Sequence, residues 1–461
     1  MKPSRMLRKA RAKAEEVVTA SAFGAARDRA VIAAAIGRPE PTGPHVLVAS
    51  AGAGNIGDQA MLDAFVERVD GPVMVIARGV GDFRVPEGPG RVSIVDFPEL
   101  VYGLGGDRRA ELTAYGAILS RARSLSVIGA DIMDGRYSPR ASVRRSMLAE
   151  AAAAAGIPAR ILGFSWNAAP HPRALAALRR AAGAGVVPYL RDPISADRAR
   201  AAGIPGVVES ADLVFTALDE DPRTADALLG TSARRAATDE PTGEPGGEAG
   251  GDADATAAGD RVVLVNVSAL VGRNLDQAAQ YERIVRALRT RGLRVVLVPH
   301  VSRPTSDDVA ACRAVHDRLA DDPGVLLVDR LLEPAEIRGL AARASLTVTG
   351  RMHLAIMSLR SGVPAITLAT QGKVEGLMRL VGVPDLCVEP GPALADRVLA
   401  VVDRLDAEPA LRRTIAASAG RLRTLAERNT DGLVDPAVHA PGAGDPTART
   451  PEAAPVAAAR T

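Results

Sequence analysis

Apolar and polar positions alternate along most of the chain between short buried runs and longer stretches of helical period, a pattern that predicts strands joined by helical crossovers. In the first half, strands are expected at His45 to Ser50, Val73 to Ala77, Val92 to Asp96, Leu125 to Ile128, Ala159 to Phe164 and Gly185 to Leu190. Helices fall between them at about 59–69, 108–120, 142–155, 172–182 and 195–202, and Val207 to Phe215 closes this half. From Gly230 to Asp260 there is no Val, Ile, Leu, Met or aromatic residue, and a segment of that kind cannot bury a core. The alternation then restarts, with strands at Val262 to Val267, Arg294 to Val298, Val325 to Leu327, Leu346 to Val348 and Ala365 to Leu368, and helices through about 428.

The predicted fold class is therefore α/β, with two Rossmann-like doubly wound domains at 43–229 and 261–429. An acidic disordered insertion at 230–260 separates them. A basic extension at 1–42 precedes them, read as a solvated arm, and a disordered tail at 430–461 follows.

Composition narrows the function classes. A net charge of +3, from 57 Lys+Arg against 54 Asp+Glu, argues against a general nucleic-acid or membrane-surface binder. Two cysteines, Cys312 and Cys387, give neither a disulfide framework nor metal-ligand spacing, so no metal is expected and a reducing cytoplasm is the simplest setting. No stretch approaches the ~20 apolar residues of a spanning helix, so the protein is expected to be soluble. Weak association with the inner face of the plasma membrane, through the basic arm, is the one membrane contact the sequence offers. Lysine occurs only at 2, 9, 13 and 373, which makes Lys373 the one compact ammonium of the folded body.

Candidate chemistry gathers at predicted strand ends, the edge where α/β proteins bind ligands. Arg351 and His353 lie in T-G-R-M-H between a strand and a helix, and Lys373 follows the next strand. Arg191 in R-D-P-I-S ends a strand of the first domain and is a candidate anion binder, with Asp192 reading as a helix cap. Gly52, Gly54 and Gly57 match G-x-G-x-x-G between strand and helix, but the acid wanted at the end of the following strand is replaced by Arg78 and Gly79. Asn55 and Asp58 add a polar pair to that loop, which reads either as an anion-binding helix start or as a tight turn capped by Asp58. Asp131 and Asp134 suit sugar hydroxyls, a metal or a turn. Trp166, beside Ser165 and Asn167, is placed to stack on a sugar or to pack under a loop. His300 in P-H-V-S-R-P is a second candidate site histidine or a hydrogen-bonded loop residue.

Three stretches taken together resemble the polysaccharide pyruvyl transferase family: G-A-G-N-I-G-D-Q-A-M-L at 52–62, R-D-P-I-S-A-D at 191–197, and T-G-R-M-H-L-A-I-M-S-L-R-S-G-V-P-A-I-T-L with K-V-E-G-L-M-R-L-V-G at 373–382. The resemblance spans roughly 45–400 outside the insertion. It implies two domains facing a cleft in a GT-B-like arrangement, and transfer of a pyruvyl group from phosphoenolpyruvate, as co-substrate without a further cofactor, to hydroxyls of a sugar or glycan that is lipid-linked in some settings. It further implies His353 as the acid, and Arg191, Arg351 and Lys373 as holders of the donor's phosphate and carboxylate. Gly54, Asn55, Gly57, Asp58, Asp131, Ser165, Trp166 and His300 are then the candidate donor- and acceptor-binding residues. Two departures from the family pattern, Gly129-Ala130-Asp131 for a G-G-G loop and Ser165-Trp166-Asn167 for an S-x-G-P-like stretch, both bear on the acceptor.

The residues suit this chemistry on their own. A multiply anionic donor calls for Arg forks, and protonation of its enol carbon calls for a group titrating near neutrality. At a helix start the dipole opposes a cation on His353, whereas a bound trianion favours one, so donor binding is expected to load the acid. Two other classes fit the same pattern: a nucleotide-sugar glycosyltransferase or epimerase, and a non-catalytic scaffold binding through its arm and insertion.

Overall fold

The computed structural model describes residues 22–85, 90–103, 107–230, 261–271, 276–369 and 373–434. The expected acidic insertion, all but five residues of the tail and the first half of the N-terminal extension lie outside the described residues.

Two parallel sheets form the frame. The first runs β1 His45–Val48, β2 Val73–Ala77, β3 Val92–Asp96, β4 Ser124–Ile128, β5 Ala159–Phe164, β6 Val187–Leu190 and β7 Val208–Glu209, in the order β3-β2-β1-β4-β5-β6-β7. The second runs β8 Val262–Asn266, β9 Arg294–Leu297, β12 Val325–Leu327, β13 Leu346–Thr349, β14 Ala365–Leu368 and β15 Cys387–Val388, in the order β12-β9-β8-β13-β14-β15. A small hairpin, β10 Ser302–Arg303 and β11 Ser306–Asp307, follows β9. Central strands such as β1, β4, β8 and β13 are buried along their length, so their apolar runs are continuous rather than alternating. In each sheet the strand order reverses beside its first strand, which opens a crevice at the carboxyl ends.

The two sheets present those carboxyl ends to each other. The start of helix Ile56–Arg68 lies against the second domain: Ile56 N–H donates to the His300 carbonyl at 3.2 Å and Ser302 N–H to the Gly54 carbonyl at 2.9 Å. The linker leaving the first domain is gripped as well. Arg360 donates to the Ala217 carbonyl at 2.7 Å and Arg338, fully buried, to the Asp219 carbonyl at 2.5 Å.

The expected domain limits need two corrections. Residues 22–36 are not a solvated arm: Ala22–Ile36 is a helix with Ile32 and Ile36 in the core, crossing Arg108–Leu119 so closely that a Cβ on Gly116 would stand 2.6 Å from that of Ala35. Asp28 on it forms a buried ion pair with Arg108. It is buried along one face, at Ala25, Asp28, Ile32 and Ile36, and its sequence shows little amphipathic stripe because the exposed face is mostly alanine and the buried one carries Asp28. The end of the chain, in turn, does not stay with the second domain. After helix Pro409–Glu427, Asn429 is completely buried in the first domain, where its Oδ1 accepts Gly163 N–H at 2.7 Å and its Nδ2 donates to the Ala211 carbonyl at 3.0 Å. Arg160 holds the same turn through the Asn429 and Asp431 carbonyls. Among the described residues, no helix is long and apolar enough to cross a membrane.

Candidate active site

Four strand ends of the first domain converge on three loops of the second. Past β5 the register with β6 shifts between Ile161 and Phe164, which turns Ser165 toward β6. There Arg191 donates from Nε to Ser165 Oγ at 2.9 Å and from Nη1 to Asp212 Oδ2 at 2.7 Å. Arg191 and Asp212 are both almost wholly buried, and Asp212 also caps the short turn Leu213–Thr216 through Val214 N–H.

His353 reaches this pair from the other domain. Its Nε2 lies 3.5 Å from Asp212 Oδ2, ion-pair distance without hydrogen-bond geometry, and is buried with no hydrogen-bond partner among the described residues. The ring lies against Gly57, where an added Cβ would stand 2.1 Å from Nδ1. Burial pushes the Asp212 carboxyl up, but the His353 and Arg191 charges, with the hydrogen bond from Val214 N–H, reverse this and hold it well below the usual carboxylate range.

Lys373, at the start of helix Lys373–Val381, pairs across the cleft with Asp131 past β4, and Tyr137 Oη donates to the same oxygen at 3.1 Å. Asp131 too is held low against its burial, by Lys373 and Arg191. Its loop is tight: Ala130 has φ +46°, and among the described residues it is the one non-glycine in the left-handed region. Asp192 caps its helix through Ser195 N–H at 2.7 Å, as the sequence suggests, and helix Lys373–Val381 comes so close that a Cβ on Gly376 would meet its Oδ1 at 2.3 Å.

Several sequence expectations change. Arg351 is not an open fork: Nε and Nη2 bind both oxygens of Asp308 at 2.9 and 2.6 Å, and Nη2 also donates to Ser306 Oγ. Asp308 is fully buried and in turn accepts Ala269 and Val301 N–H groups and the Asn266 amide, so Arg351 ties three loops beneath the cleft. His300 lies under the cleft rather than in it, 1% exposed, with both ring nitrogens buried and unpartnered among the described residues. Burial, and the charges of His353 and Arg351, push its pKa well below the ordinary value, so it stays neutral. Trp166 does not stack on a ligand. It is 1% exposed, packs edge-on against Phe164 and donates its backbone N–H to Ser195 Oγ.

The glycine loop is filled by protein. A Cβ on Gly54 would stand 2.1 Å from the Ser302 carbonyl oxygen, and Arg303 binds the Gly52 and Ala53 carbonyls and Asp58. Asn55 caps the helix by accepting Gly57 N–H at 3.1 Å. These glycines let the second domain approach the first at van der Waals distance, a use that the fingerprint spacing does not separate from close approach to a phosphate. Asp212 and Asp308 carry the largest unforeseen roles. Each is an acid just past a strand or loop turn, where capping is the ordinary reading, and only the fold shows which arginine it meets.

The arrangement thus matches three cations, Arg191, Arg351 and Lys373, with three buried or half-buried carboxylates, Asp212, Asp308 and Asp131, around one histidine. Among the described residues no three His, Cys, Asp or Glu side chains converge as metal ligands.

Comparison with known proteins bears on the fold and the family separately. A UDP-GlcNAc 2-epimerase from Neisseria meningitidis bound to UDP-GlcNAc is 10% identical with a TM-score of 0.53, over 84% of this chain and 98% of that one. A putative UDP-N-acetylglucosamine 2-epimerase from Listeria monocytogenes is 11% identical with a TM-score of 0.52, over 84% and 94%. At such identities they show a shared two-domain, GT-B-like fold and nothing of the reaction. No curated relative matches the chain. The family model described as polysaccharide pyruvyl transferase matches residues 38–372, through β1 to β14 and the loops that carry Arg191, Asp212 and His353, and the chain belongs to the polysaccharide pyruvyl transferase family.

Proposed function

We propose that the protein transfers an enolpyruvyl-derived group from phosphoenolpyruvate to two hydroxyls of a sugar in a cell-surface polysaccharide or its precursor, forming a cyclic ketal. The observation that carries this reading is His353, from the second domain, standing over the Arg191–Asp212 pair of the first.

A buried arginine and a lysine facing each other across a cleft suit a donor with a phosphate at one end and a carboxylate at the other. The three cations are internally matched, so the donor takes over Arg191 and Lys373 by exchanging its own oxygens for those of Asp212 and Asp131. Arg351, locked to Asp308, acts at longer range by fixing the loop that holds His353. His353 gives its proton to the terminal enol carbon, which becomes the methyl group, while a sugar hydroxyl forms its bond to the adjacent carbon and gives up its proton to restore the imidazolium. A second hydroxyl then replaces the phosphate, which leaves with the remaining proton as hydrogen phosphate. Asp212 keeps the imidazole oriented, the part a carboxylate plays beside an acid-base histidine.

The test is incubation of the purified chain with phosphoenolpyruvate and a panel of sugars, following phosphate release and the ketal methyl group by NMR. His353→Ala is expected to keep the melting shift caused by phosphoenolpyruvate and lose product formation. Near-normal turnover in that variant overturns the mechanism. Stabilisation by a nucleotide sugar, with none by phosphoenolpyruvate, replaces it with the epimerase or glycosyltransferase reading.

A further inference from the structure

At the carboxyl ends of β1 and β2 the face of the first sheet turns from apolar to polar. Val46 and Val48 continue into Ser50, and Ile76 into Arg78, on the side covered by helix Pro139–Ala154. Ser50, Arg78 and Tyr102, with Phe97 and Leu100, line a narrow crevice there. Two guanidinium groups lie against the Tyr102 ring: Arg78, exposed, 5.6 Å from its centroid, and Arg145, completely buried, at 5.0 Å.

Five arginines surround this point. Arg145 donates to Tyr102 Oη at 2.6 Å, Arg140 to the Tyr102 carbonyl at 3.1 Å, and Arg144 to the carbonyls of Val101 and Gly103. Arg108 is held by Asp28. The acids that bear on Arg144 are Asp28 and Glu99. Arg144 is lowered to about 9 by burial and by the charges of Arg108 and Arg140. Nε and Nη1 of Arg145, Nε of Arg144 and the Ser50 hydroxyl are buried without hydrogen-bond partners among the described residues. Buried donors in that state call for an acceptor. A compact oxyanion satisfies several at once, as guanidinium forks bind phosphoryl and carboxylate groups.

We infer that the Tyr102 crevice is a second anion site, which takes a phosphoryl or carboxylate group carried by the acceptor sugar, with Tyr102 swinging aside so that the group lies between Arg78 and Arg145. The inference rests on the acceptor being a sugar, as proposed above. The site lies on the same sheet edge as Asp131 and just before the loop from Gly52 to Gly57 that touches His353, so a sugar anchored by its acidic group extends its hydroxyls toward the reacting centre. It does not use Arg191, Lys373 or Arg351.

Calorimetric titration of the full chain with glucose 1-phosphate, glucuronate and glucose, with and without phosphoenolpyruvate, tests this. Either acidic sugar should bind at least about tenfold more tightly than glucose, the one that does identifying the group, and Arg78→Ala should remove about tenfold of that affinity. Arg78→Ala should leave the phosphoenolpyruvate shift intact, and Lys373→Ala should do the opposite. Arg145→Met probes the buried anchor, and Arg78, being exposed, decides the matter if that variant does not fold. Equal binding of acidic and neutral sugars, or loss of acidic-sugar binding in Lys373→Ala but not in Arg78→Ala, overturns the inference. If phosphoenolpyruvate fails to bind while Arg78→Ala still abolishes the acidic-sugar signal, the donor reading falls and the anion site stands.

Discussion

His353 Nε2 and Asp212 Oδ2 come from different domains and stand 3.5 Å apart, close enough for charge interaction and too loosely set for a hydrogen bond. Catalytic contacts often have this slack before substrate binds and tighten afterwards. Asp212→Asn keeps the shape and removes the charge. We expect kcat to fall by about a hundredfold or more, with the KM for phosphoenolpyruvate unchanged or lower because Arg191 is released. Breaking the buried pair also destabilises the fold by up to ~3–5 kcal/mol. Steady-state kinetics well below the melting temperature separates the two effects, and an unaltered kcat removes Asp212 from the mechanism.

Gly57 serves His353 by having no side chain. Gly57→Ala puts a methyl group 2.1 Å from Nδ1, so either the imidazole turns away or the domains part. A displacement of this size costs about a hundredfold in kcat/KM. Alanine is otherwise the better helix former, by roughly 1 kcal/mol in a helix interior. The expected pattern is thus a nearly inactive protein of little-changed melting temperature.

Ala130 sits at φ +46° immediately before Asp131. An L-residue there is strained by roughly 1–2 kcal/mol and glycine is not. Ala130→Gly should raise stability in denaturant titration by about 1 kcal/mol. If the strain serves to aim Asp131 at Lys373, the same variant loses activity while gaining stability.

Asp63 gives the domain contact a pH response. It lies on helix Ile56–Arg68, accepts from Gln59 Nε2 at 2.7 Å, and is raised by burial to about 6 despite that bond and the charge of Arg338 across the interface. Its folded value exceeds its unfolded one, so the native state binds the proton more tightly and stability falls as pH rises through about 4 to 6. Asp63→Asn should therefore melt higher than the parent protein at pH 7.5 and alike at pH 4. An equal gain at both values excludes Asp63 as the cause.

Much of the frame was legible in the sequence because buried parallel strands leave continuous apolar runs, and each predicted strand from His45 to Leu368 has its counterpart, with ends that coincide or move by at most two residues. Cys387–Val388 and the hairpin at 302–307 were too short to leave a period. Within the site, Arg191, His353, Lys373 and Asp131 do come together, because strand ends in this topology share one edge. What the sequence hid was pairing. Asp308 is seven residues beyond Val301 and forty-three before Arg351, and no local pattern says that it closes both. Trp166 shows the limit from the other side: its position at a strand end was right, and its indole points inward.

Asn429 carries a consequence for how the molecule comes into being. The residue clamps Gly163, two positions before Ser165, and Ala211, the neighbour of Asp212, yet it lies 57 positions beyond the end of the family match at residue 372. During synthesis from the N-terminus, every strand of the first domain leaves the ribosome long before the residue that locks two of its strand ends. The candidate site is thus finished last, by a segment that has first to fold with the other domain, and a nascent chain stopped short of Asn429 has the complete set of candidate site residues without the fastening under them.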